Sequence, residues 1–325
     1  MPRFTLIDRE VEISSFADDV RRGLTAAPKS LPPHHFYDEL GSALFDAITR
    51  LPEYYVTRAE SEVLTSFDEE IAEAFGTPVR LIELGAGSAR KTRLLFDVLR
   101  RRQPQLEYVP VDVDRTILER SGRTLLDEYP SLRITAVCSD FRDLSRSLAG
   151  LHDSSARNVV LFLGSTIGNL GFDESVSMFR GLGKALGPSD AFFLGADLKK
   201  SKCVLEPAYD DALGVTAAFN LNLLARINRE LGGRFDVKRF AHRAFFDESK
   251  SRIEMHLVSR EAQTVRIEAL GLDVAFAEGE SIHTENSYKY DAAMIERIAA
   301  ASGFRVEKTW TDSRRWFADF LMRVS

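Results

Sequence analysis

A glycine-rich turn between an apolar segment and an amphipathic one constrains this chain more than any other feature. Residues 79–84 are mostly apolar, Glu83 is next to last among them, and Gly85 and Gly87 follow. Leucine and valine then recur at helical spacing over residues 94–99. This order predicts a buried strand, a tight turn and a helix, because glycine lets the backbone turn sharply and approach a ligand closely. The helix start would add free N–H groups and a positive dipole end.

The turn does not match two common ligand-binding patterns, and this restricts the classes of ligand that it could bind. Arg90 breaks the GxGxxG pattern of dinucleotide sites, and the phosphate-binding pattern GxxxxGK[ST] does not fit either. A strand ending in Glu-x-Gly-x-Gly suits a ligand with a cationic or hydroxyl-rich part, and S-adenosylmethionine (SAM) is such a ligand. The alternative is an ordinary strand–helix turn, since short glycine-rich turns are weak signals.

An acid near the end of the second predicted strand strengthens the ligand interpretation. Asp112 lies 25 positions after Gly87, close to where a βαβ fold places the acid that binds ribose hydroxyls. The glycine turn and this acid together are more specific than either alone. The alternative is that Asp112 caps the helix predicted from Thr116.

Polar residues also end the third and fourth predicted strands. Asp140 and Phe141 end the third, and could bind the amino group and the ring of an adenine. The alternative is a capping residue beside a core phenylalanine. Asn169 follows a continuously apolar fourth strand, at the edge where α/β sheets bind ligands, and it offers both a donor and an acceptor. Its alternative is a turn asparagine.

Elements outside this unit are of mixed type. Thr57 to Glu60 has the pattern of a capping box, which predicts a helix from there to about Phe75. A helix over 206–231 is followed by alternating segments at 239–246, 252–259 and 263–269, which predict an antiparallel meander. The polar segment 280–290 has no strict period.

The closing helix, strand, turn and strand resemble the last elements of the class I SAM-dependent methyltransferase sheet. The predicted fold class is therefore α/β, with a Rossmann-like doubly wound sheet and a second, smaller α+β domain. The SAM-binding domain would comprise residues 61–197 and 290–325. The substrate-binding domain would comprise residues 1–60 and 198–289. Ligand pockets are common at such domain interfaces.

Composition restricts the remaining classes of function. The chain has 325 residues and a net charge of −6, which argues against a nucleic-acid or anionic membrane surface. Cys138 and Cys203 have no metal-ligand spacing and, with no apolar signal-peptide core at the N-terminus, fit a reducing cytoplasm. The six histidines form no HxH or HxxxH pair, so no metal site is predicted. We expect a cytoplasmic monomer whose partner is a small-molecule substrate.

Nine motifs spread over nearly the whole chain resemble those of the histidine-specific SAM-dependent methyltransferases. Their length and shared order argue against chance similarity. Two departures are conservative, namely Val56 where the family has proline and Ala86-Gly87-Ser88 where it has Ser-Gly-Thr. The motifs are Lys29-Ser30-Leu31-Pro32-Pro33, Phe36-Tyr37-Asp38, Leu51-Pro52-Glu53-Tyr54-Tyr55, Glu83-Leu84-Gly85, Lys91-Thr92-Arg93, Phe162-Leu163-Gly164-Ser165-Thr166-Ile167-Gly168-Asn169, Ala208-Tyr209-Asp210-Asp211, Arg252-Ile253-Glu254-Met255 and Thr284-Glu285-Asn286-Ser287.

The resemblance implies a role for each matching residue. SAM would be the cofactor, held by Gly85, Lys91, Asp112, Asp140 and Phe141, with Tyr37 near both the cofactor and the amine. The amino acid would be held by Tyr54, Asn169 and Tyr209, the last two mostly through its carboxylate. Glu285 and Ser287 would bind the imidazole, and Met255 would pack against its ring. No obligatory base is assigned, and the candidates are Tyr37, Tyr54 and Asn169.

The implied activity is transfer of three methyl groups from SAM to the α-nitrogen of L-histidine, which gives hercynine in ergothioneine biosynthesis. One alternative is a SAM-dependent N-methyltransferase of another small amino acid or amine, such as tryptophan. A second alternative is a SAM-binding regulatory or scaffold protein without turnover. The polar residues at the predicted strand ends favour an enzyme over this last class.

Overall fold

The computed structural model describes residues 3–9, 15–140 and 156–325, and the chain forms two compact units. Neither unit is a continuous segment. The larger unit comprises residues 1–12, 56–198 and 290–325, and the smaller unit comprises residues 13–55 and 199–289. All of residues 1–60 were predicted to belong to the smaller domain. That boundary is wrong for residues 4–8, because they form a strand of the larger unit's sheet.

The elements are numbered in chain order through the described residues. The strands are β1 (Phe4–Asp8), β2 (Lys29–Ser30), β3 (Val79–Leu84), β4 (Leu106–Asp112), β5 (Leu132–Cys138), β6 (Arg157–Phe162), β7 (Ala191–Asp197), β8 (Phe240–Asp247), β9 (Arg252–Ser259), β10 (Gln263–Ile267), β11 (Leu272–Phe276), β12 (Ser281–Tyr288), β13 (Phe304–Thr311) and β14 (Phe317–Val324). The helices are α1 (Phe16–Thr25), α2 (Glu39–Ile48), α3 (Val56–Ser66), α4 (Asp68–Phe75), α5 (Thr92–Arg102), α6 (Arg115–Glu128), α7 (Phe172–Ala185), α8 (Lys202–Leu205), α9 (Val215–Leu231) and α10 (Ala292–Ser302).

The larger unit is built on one eight-stranded sheet. Its strand order is β1-β5-β4-β3-β6-β7-β14-β13. Neighbouring strands from β1 to β7 are parallel, whereas β14 is antiparallel to both β7 and β13. This is the doubly wound sheet that the sequence predicts, with an added edge strand, β1. The predicted α/β fold class is confirmed.

The central strand of this sheet explains where the glycine turn lies. Every residue of β3 is buried, as expected for a parallel strand covered on both faces. Its basic residue, Arg80, donates from Nε to Oδ1 of Asn158 on the adjacent β6 at 2.9 Å. Because β3, β4, β5 and β6 run parallel, the segments that follow them emerge at one edge of the sheet. That edge is where α/β sheets bind ligands.

The smaller unit contains a four-stranded sheet of order β2-β12-β9-β8 and a separate β10–β11 hairpin. The predicted meander is right for β8 and β9, but the next strand in this sheet is β12 rather than β10. Helix α9 packs against α2 and the sheet, and the Phe36 and Phe219 rings stack with centroids 4.5 Å apart. Because β12 lies between β2 and β9 in this sheet, the segment 280–290, which shows no strict period, supplies an internal strand.

Two predicted helices are interrupted. The helix expected from Thr57 to about Phe75 is two helices, α3 and α4, which meet at Phe67. Of the helix expected over 206–231, only α9 from Val215 onward is helical, because residues 206–214 form turns and the short α8 ends before them. Within the described ranges, no helix has both the length and the apolarity needed to span a membrane.

Candidate active site

The glycine turn after β3 has the backbone that its sequence predicts. Gly85 has φ of 68° and Gly87 has φ of 49°, in the left-handed region that glycine adopts without steric cost. The Gly85 N–H donates to the Val111 carbonyl at 2.8 Å, which ties the turn to the neighbouring β4. A Cβ built on Gly87 meets no atom within 4 Å, so this turn borders open space. Helix α5 begins directly after it, at Thr92.

Asp112 at the end of β4 is fastened to the same turn. Its carboxylate accepts the Gly87 N–H and the Asp114 N–H, each at 3.0 Å. Burial raises the pKa of Asp112, while these two N–H groups act in the opposite direction. The cap of α6 is Asp114, which accepts from the N–H groups of Thr116 and Ile117, so the capping alternative for Asp112 is wrong. Each Asp112 oxygen has a further lone pair with which to accept a ligand hydroxyl.

Glu83, the acid before the turn, lies inside the protein rather than in the turn. It accepts hydrogen bonds from the Thr92 hydroxyl at 2.6 Å and from the Tyr108 hydroxyl. Burial raises the pKa of Glu83 to about 7 despite these two donors. Its contacts join β3 to β4 and to the start of α5. The sequence pattern predicts that this acid favours a cationic ligand, whereas in the structure Glu83 hydrogen-bonds within the core.

Lys91 makes an ion pair that the sequence did not indicate. Its ammonium contacts the carboxylate of Glu60, which is fully buried on α3. Glu60 also accepts the Gly164 N–H with both oxygens, at 2.7 and 3.0 Å. The acid interpreted as part of a capping box therefore links the glycine turn to the loop after β6. Asp319 on β14 is buried close by, and burial together with the Glu60 charge raises its pKa well above the usual range.

The residues after β5 and β6 are the remaining predicted site residues of the larger unit. Asp140 follows β5 and is half-buried, while Phe141 lies outside the described residues. Asn169 ends the one-turn 3₁₀ helix Thr166–Asn169, which follows β6, and is also half-buried. Gly164 and Ser165 have φ of 76° and 59°, so two consecutive left-handed residues turn the chain sharply before this helix.

In the smaller unit, Lys289, for which the sequence predicts no role, joins two predicted site residues. The Tyr209 hydroxyl and the Ser287 hydroxyl are 2.7 Å apart. The Lys289 ammonium donates to both oxygens, each at 2.8 Å, and lies 4.6 Å from the centre of the Tyr209 ring. Lys289 is 0% exposed. We call these three residues the hydroxyl–lysine triangle.

Glu285 and Met255 are neighbours on adjacent strands. They are paired across β12 and β9, and the register shifts between His283 and Glu285, where Thr284 is the extra residue. The Thr284 hydroxyl donates to the Met255 carbonyl at 3.0 Å. A bulge redirects the side chains that follow it, and this explains why segment 280–290 lacks a strict period. Burial raises the pKa of Glu285 to about 7, although the Lys289 charge lowers it. No described residue hydrogen-bonds the Glu285 carboxyl group.

The two predicted site tyrosines of the smaller unit have different surroundings. The Tyr54 ring lies edge-on to the Tyr209 ring, with centroids 6.2 Å apart, so the structure brings Tyr54 to the hydroxyl–lysine triangle. Tyr37 is 43% exposed and contacts the rings of Phe45 and Phe219. Tyr37 is thus accessible, whereas Tyr54 is largely buried.

The fold also gathers metal-ligating side chains that the spacing of the histidines did not indicate. Glu254, His256 and His283 have ligand atoms within 4.8 Å of one another, and so do Asp19, His34 and His35. In each cluster the side chains are engaged with one another, with Glu254 3.1 Å from His256 and Asp19 2.8 Å from His35. The prediction that this chain has no metal site stays a prediction.

Comparison with known proteins gives matches that span both units. A family model described as histidine-specific methyltransferase, SAM-dependent, matches residues 16–324. The histidine N-alpha-methyltransferase of Mycolicibacterium smegmatis is 47% identical over 294 residues, which cover 90% of each chain. The histidine N-alpha-methyltransferase of Mycobacterium tuberculosis is 44% identical with the same coverage. Ergothioneine biosynthesis protein 1 of Neurospora crassa is 28% identical over 87% of this chain and 32% of that protein.

Proposed function

The chain belongs to the histidine-specific, SAM-dependent methyltransferase family, and from this premise we propose that it transfers three methyl groups from SAM to the α-nitrogen of L-histidine. The product is hercynine, the trimethylated histidine of ergothioneine biosynthesis. The larger unit serves as the SAM-binding domain and the smaller unit as the main substrate-binding domain. Asn169 of the larger unit also binds the amino acid, by contacting the substrate's carboxylate.

The observation that carries the choice of histidine is the carboxyl group of Glu285, whose side chain is half-buried. It has no hydrogen-bond partner among the described residues, and burial keeps its pKa near 7. An imidazole N–H facing this group would form a charge-assisted hydrogen bond and satisfy it. A side chain without a donor there would leave the carboxylate buried and unpaired, which rejects that amino acid. Met255, paired with Glu285 across the strands, supplies an apolar contact for the ring.

SAM fits the residues at the edge of the larger sheet. Asp112 retains acceptor capacity for the ribose hydroxyls, and the open space at Gly87 allows close approach of the ligand. Asp140 would accept from the adenine amino group and Phe141 would pack against its ring. Gly85 shapes the turn, and the Lys91 ammonium, already oriented by Glu60, offers a cation to the carboxylate of SAM. When bound, SAM supplies the methyl group as a sulfonium electrophile.

The protein's part in the reaction is to position the amine and to let it lose a proton. Tyr209 and Asn169 hold the carboxylate of histidine, and Tyr54 lies beside Tyr209. The α-ammonium must release a proton before its lone pair can attack, and orientation supplies much of the rate. Tyr37, Tyr54 and Asn169 accept or relay that proton through water, and no one of them is an obligatory base.

The test is to incubate the protein with SAM and one amino acid at a time, and to detect mono-, di- and trimethylated products by mass spectrometry. Histidine should give all three products, with release of S-adenosylhomocysteine, while tryptophan and histamine should give little. The Glu285→Gln variant should bind SAM normally and lose histidine turnover. Glu278→Gln, which changes an exposed carboxylate of the same unit, is the matched control. Faster methylation of tryptophan, or no turnover of any amino acid, would contradict the proposal.

A further inference from the structure

The ammonium group of Lys289 is buried in the smaller unit. Its backbone is held at both groups, since its N–H donates to the Ser251 carbonyl and its carbonyl accepts from the Ser251 hydroxyl, both at 2.8 Å. The side chain is 0% exposed and donates to Tyr209 and Ser287. Burying an ammonium group costs free energy unless it is well hydrogen-bonded. A hydrophobic residue at this position would avoid that cost.

The hydroxyl–lysine triangle limits how its two hydroxyl groups can bond. A lysine ammonium can only donate, so the Tyr209 and Ser287 oxygens each accept one hydrogen from Lys289. One hydroxyl hydrogen lies between the two oxygens, which are 2.7 Å apart. The bonds within the triangle therefore leave one O–H and one lone pair to point outward, toward groups outside it. Without the lysine, the two hydroxyl groups could rotate among several donor and acceptor patterns.

We propose that Lys289 is a positioning residue that fixes Tyr209 as the donor to the substrate carboxylate and Ser287 as the acceptor for the imidazole. This inference rests on the proposed function, because it takes Tyr209 and Ser287 as contacts of the amino acid. The arrangement follows from the proposed ligand: a carboxylate can only accept, so the outward O–H belongs to Tyr209. The outward lone pair then belongs to Ser287, where it faces an imidazole N–H.

The charge of Lys289 has a further consequence for Glu285, which lies four positions earlier in the chain. Lys289 is the charged side chain that acts on the Glu285 carboxyl group within the described residues, and it opposes the effect of burial on that pKa. Removing the charge should raise the pKa of Glu285 further. Imidazole binding by an ionised Glu285 should then require a higher pH.

Two variants separate the hydrogen bonds from the charge. Lys289→Met removes both, whereas Lys289→Gln keeps an N–H donor without a charge. Lys238→Met, at an exposed lysine of the same unit, is the control. For each protein, the measurements are circular dichroism, SAM affinity by calorimetry, amino-acid affinity in the presence of S-adenosylhomocysteine, and the pH dependence of kcat/KM. The amino acid is whichever one the wild-type protein methylates.

The expected result is that Lys289→Met weakens amino-acid binding at least about tenfold, which corresponds to loss of a charge-assisted hydrogen bond. SAM affinity should stay within about twofold of wild type, because the triangle contacts the amino acid rather than the cofactor. Lys289→Gln should recover part of the amino-acid affinity. Both variants should move the acid limb of the kcat/KM profile to higher pH. The pKa values of the free substrate are the same whichever variant is measured. A displacement of the acid limb therefore reports a changed pKa in the protein.

The outcomes distinguish this inference from the proposed function. A folded Lys289→Met protein with wild-type amino-acid affinity and an unmoved acid limb would overturn the role of Lys289 while histidine methylation stands. Equal losses of SAM and amino-acid affinity would also overturn it, since they indicate a general structural role. If Lys289→Met does not fold, Lys289→Gln decides the question by its acid limb. If no amino acid binds the wild-type protein, both proposals fail.

Discussion

Replacement of Glu285 by glutamine should stabilise the protein and at the same time abolish its turnover of histidine. Folding raises the pKa of this carboxyl group from 4.5 to about 7 because the group is buried. At about 1.36 kcal/mol for each pH unit, the ionised side chain costs the folded state about 3 kcal/mol above pH 7. Glutamine has the same shape and no charge, so Glu285→Gln should recover most of that free energy of unfolding.

The sign of the pH dependence is part of the prediction. The folded state holds the Glu285 proton more tightly than the unfolded state, so wild-type stability falls as pH rises from 4.5 to about 7. The advantage of Glu285→Gln should be small near pH 4.5 and should reach its full size above pH 7. The assay is urea unfolding followed by circular dichroism at several pH values, with wild type and Glu278→Gln measured alongside.

The reasoning would be refuted by a Glu285→Gln variant that is no more stable than wild type at pH 8. A gain of the same size in Glu278→Gln would refute it equally, because that carboxylate is exposed. Histidine supplies a further check. Its binding should stabilise wild type far more than the variant, since only the wild-type carboxylate gains a charge-assisted partner.

Three further predictions concern the larger unit. Asp319→Asn should raise the stability of the protein, and the gain should grow as pH rises. Both Asp319 oxygens are buried without a hydrogen-bond partner, and the pKa of this carboxyl group is raised. An unchanged urea midpoint at pH 8 would count against this prediction. Asp112→Ala should weaken SAM binding at least about tenfold, because the ribose acceptor is lost, and calorimetry tests this directly. Gly164→Ala should lower the free energy of unfolding by about 1–2 kcal/mol because of its positive φ. It should lower it further because the new Cβ would lie 3.0 Å from the Lys91 ammonium. Gly271→Ala, also at positive φ but in open space, should cost only the part due to the backbone.

The features that the sequence predicts well are those that depend on neighbouring residues. The strand, glycine turn and helix at 79–102 are specified within one segment, and the βαβ spacing then places Asp112 at the same turn. The α/β fold and the family are confirmed. The motifs of the smaller unit led to Tyr209, Glu285 and Ser287, and the structure brings Tyr209 and Ser287 into one hydrogen-bonded group.

The features that the sequence misses depend on partners far along the chain. Glu60 matches a capping box locally, but its partners are Lys91 and Gly164, which only the folded sheet brings to it. Lys289 gives no pattern of its own, because its partner Tyr209 is 80 positions away. The extra residue Thr284 breaks the alternation of β12, so a strand with one bulge looks irregular in sequence.

The interleaving of the two units has a practical consequence for anyone who wishes to study them apart. In the smaller unit, β2 near residue 30 pairs with β12 near residue 282, and the residues between them include most of the larger unit. No single stretch of the gene encodes either unit, so an excised half would have to be rejoined by an artificial linker. During synthesis, the smaller unit's sheet can be completed only after β12 is made, and the larger sheet only after β13 and β14 are made. Neither sheet can therefore be completed before most of the other unit has been translated.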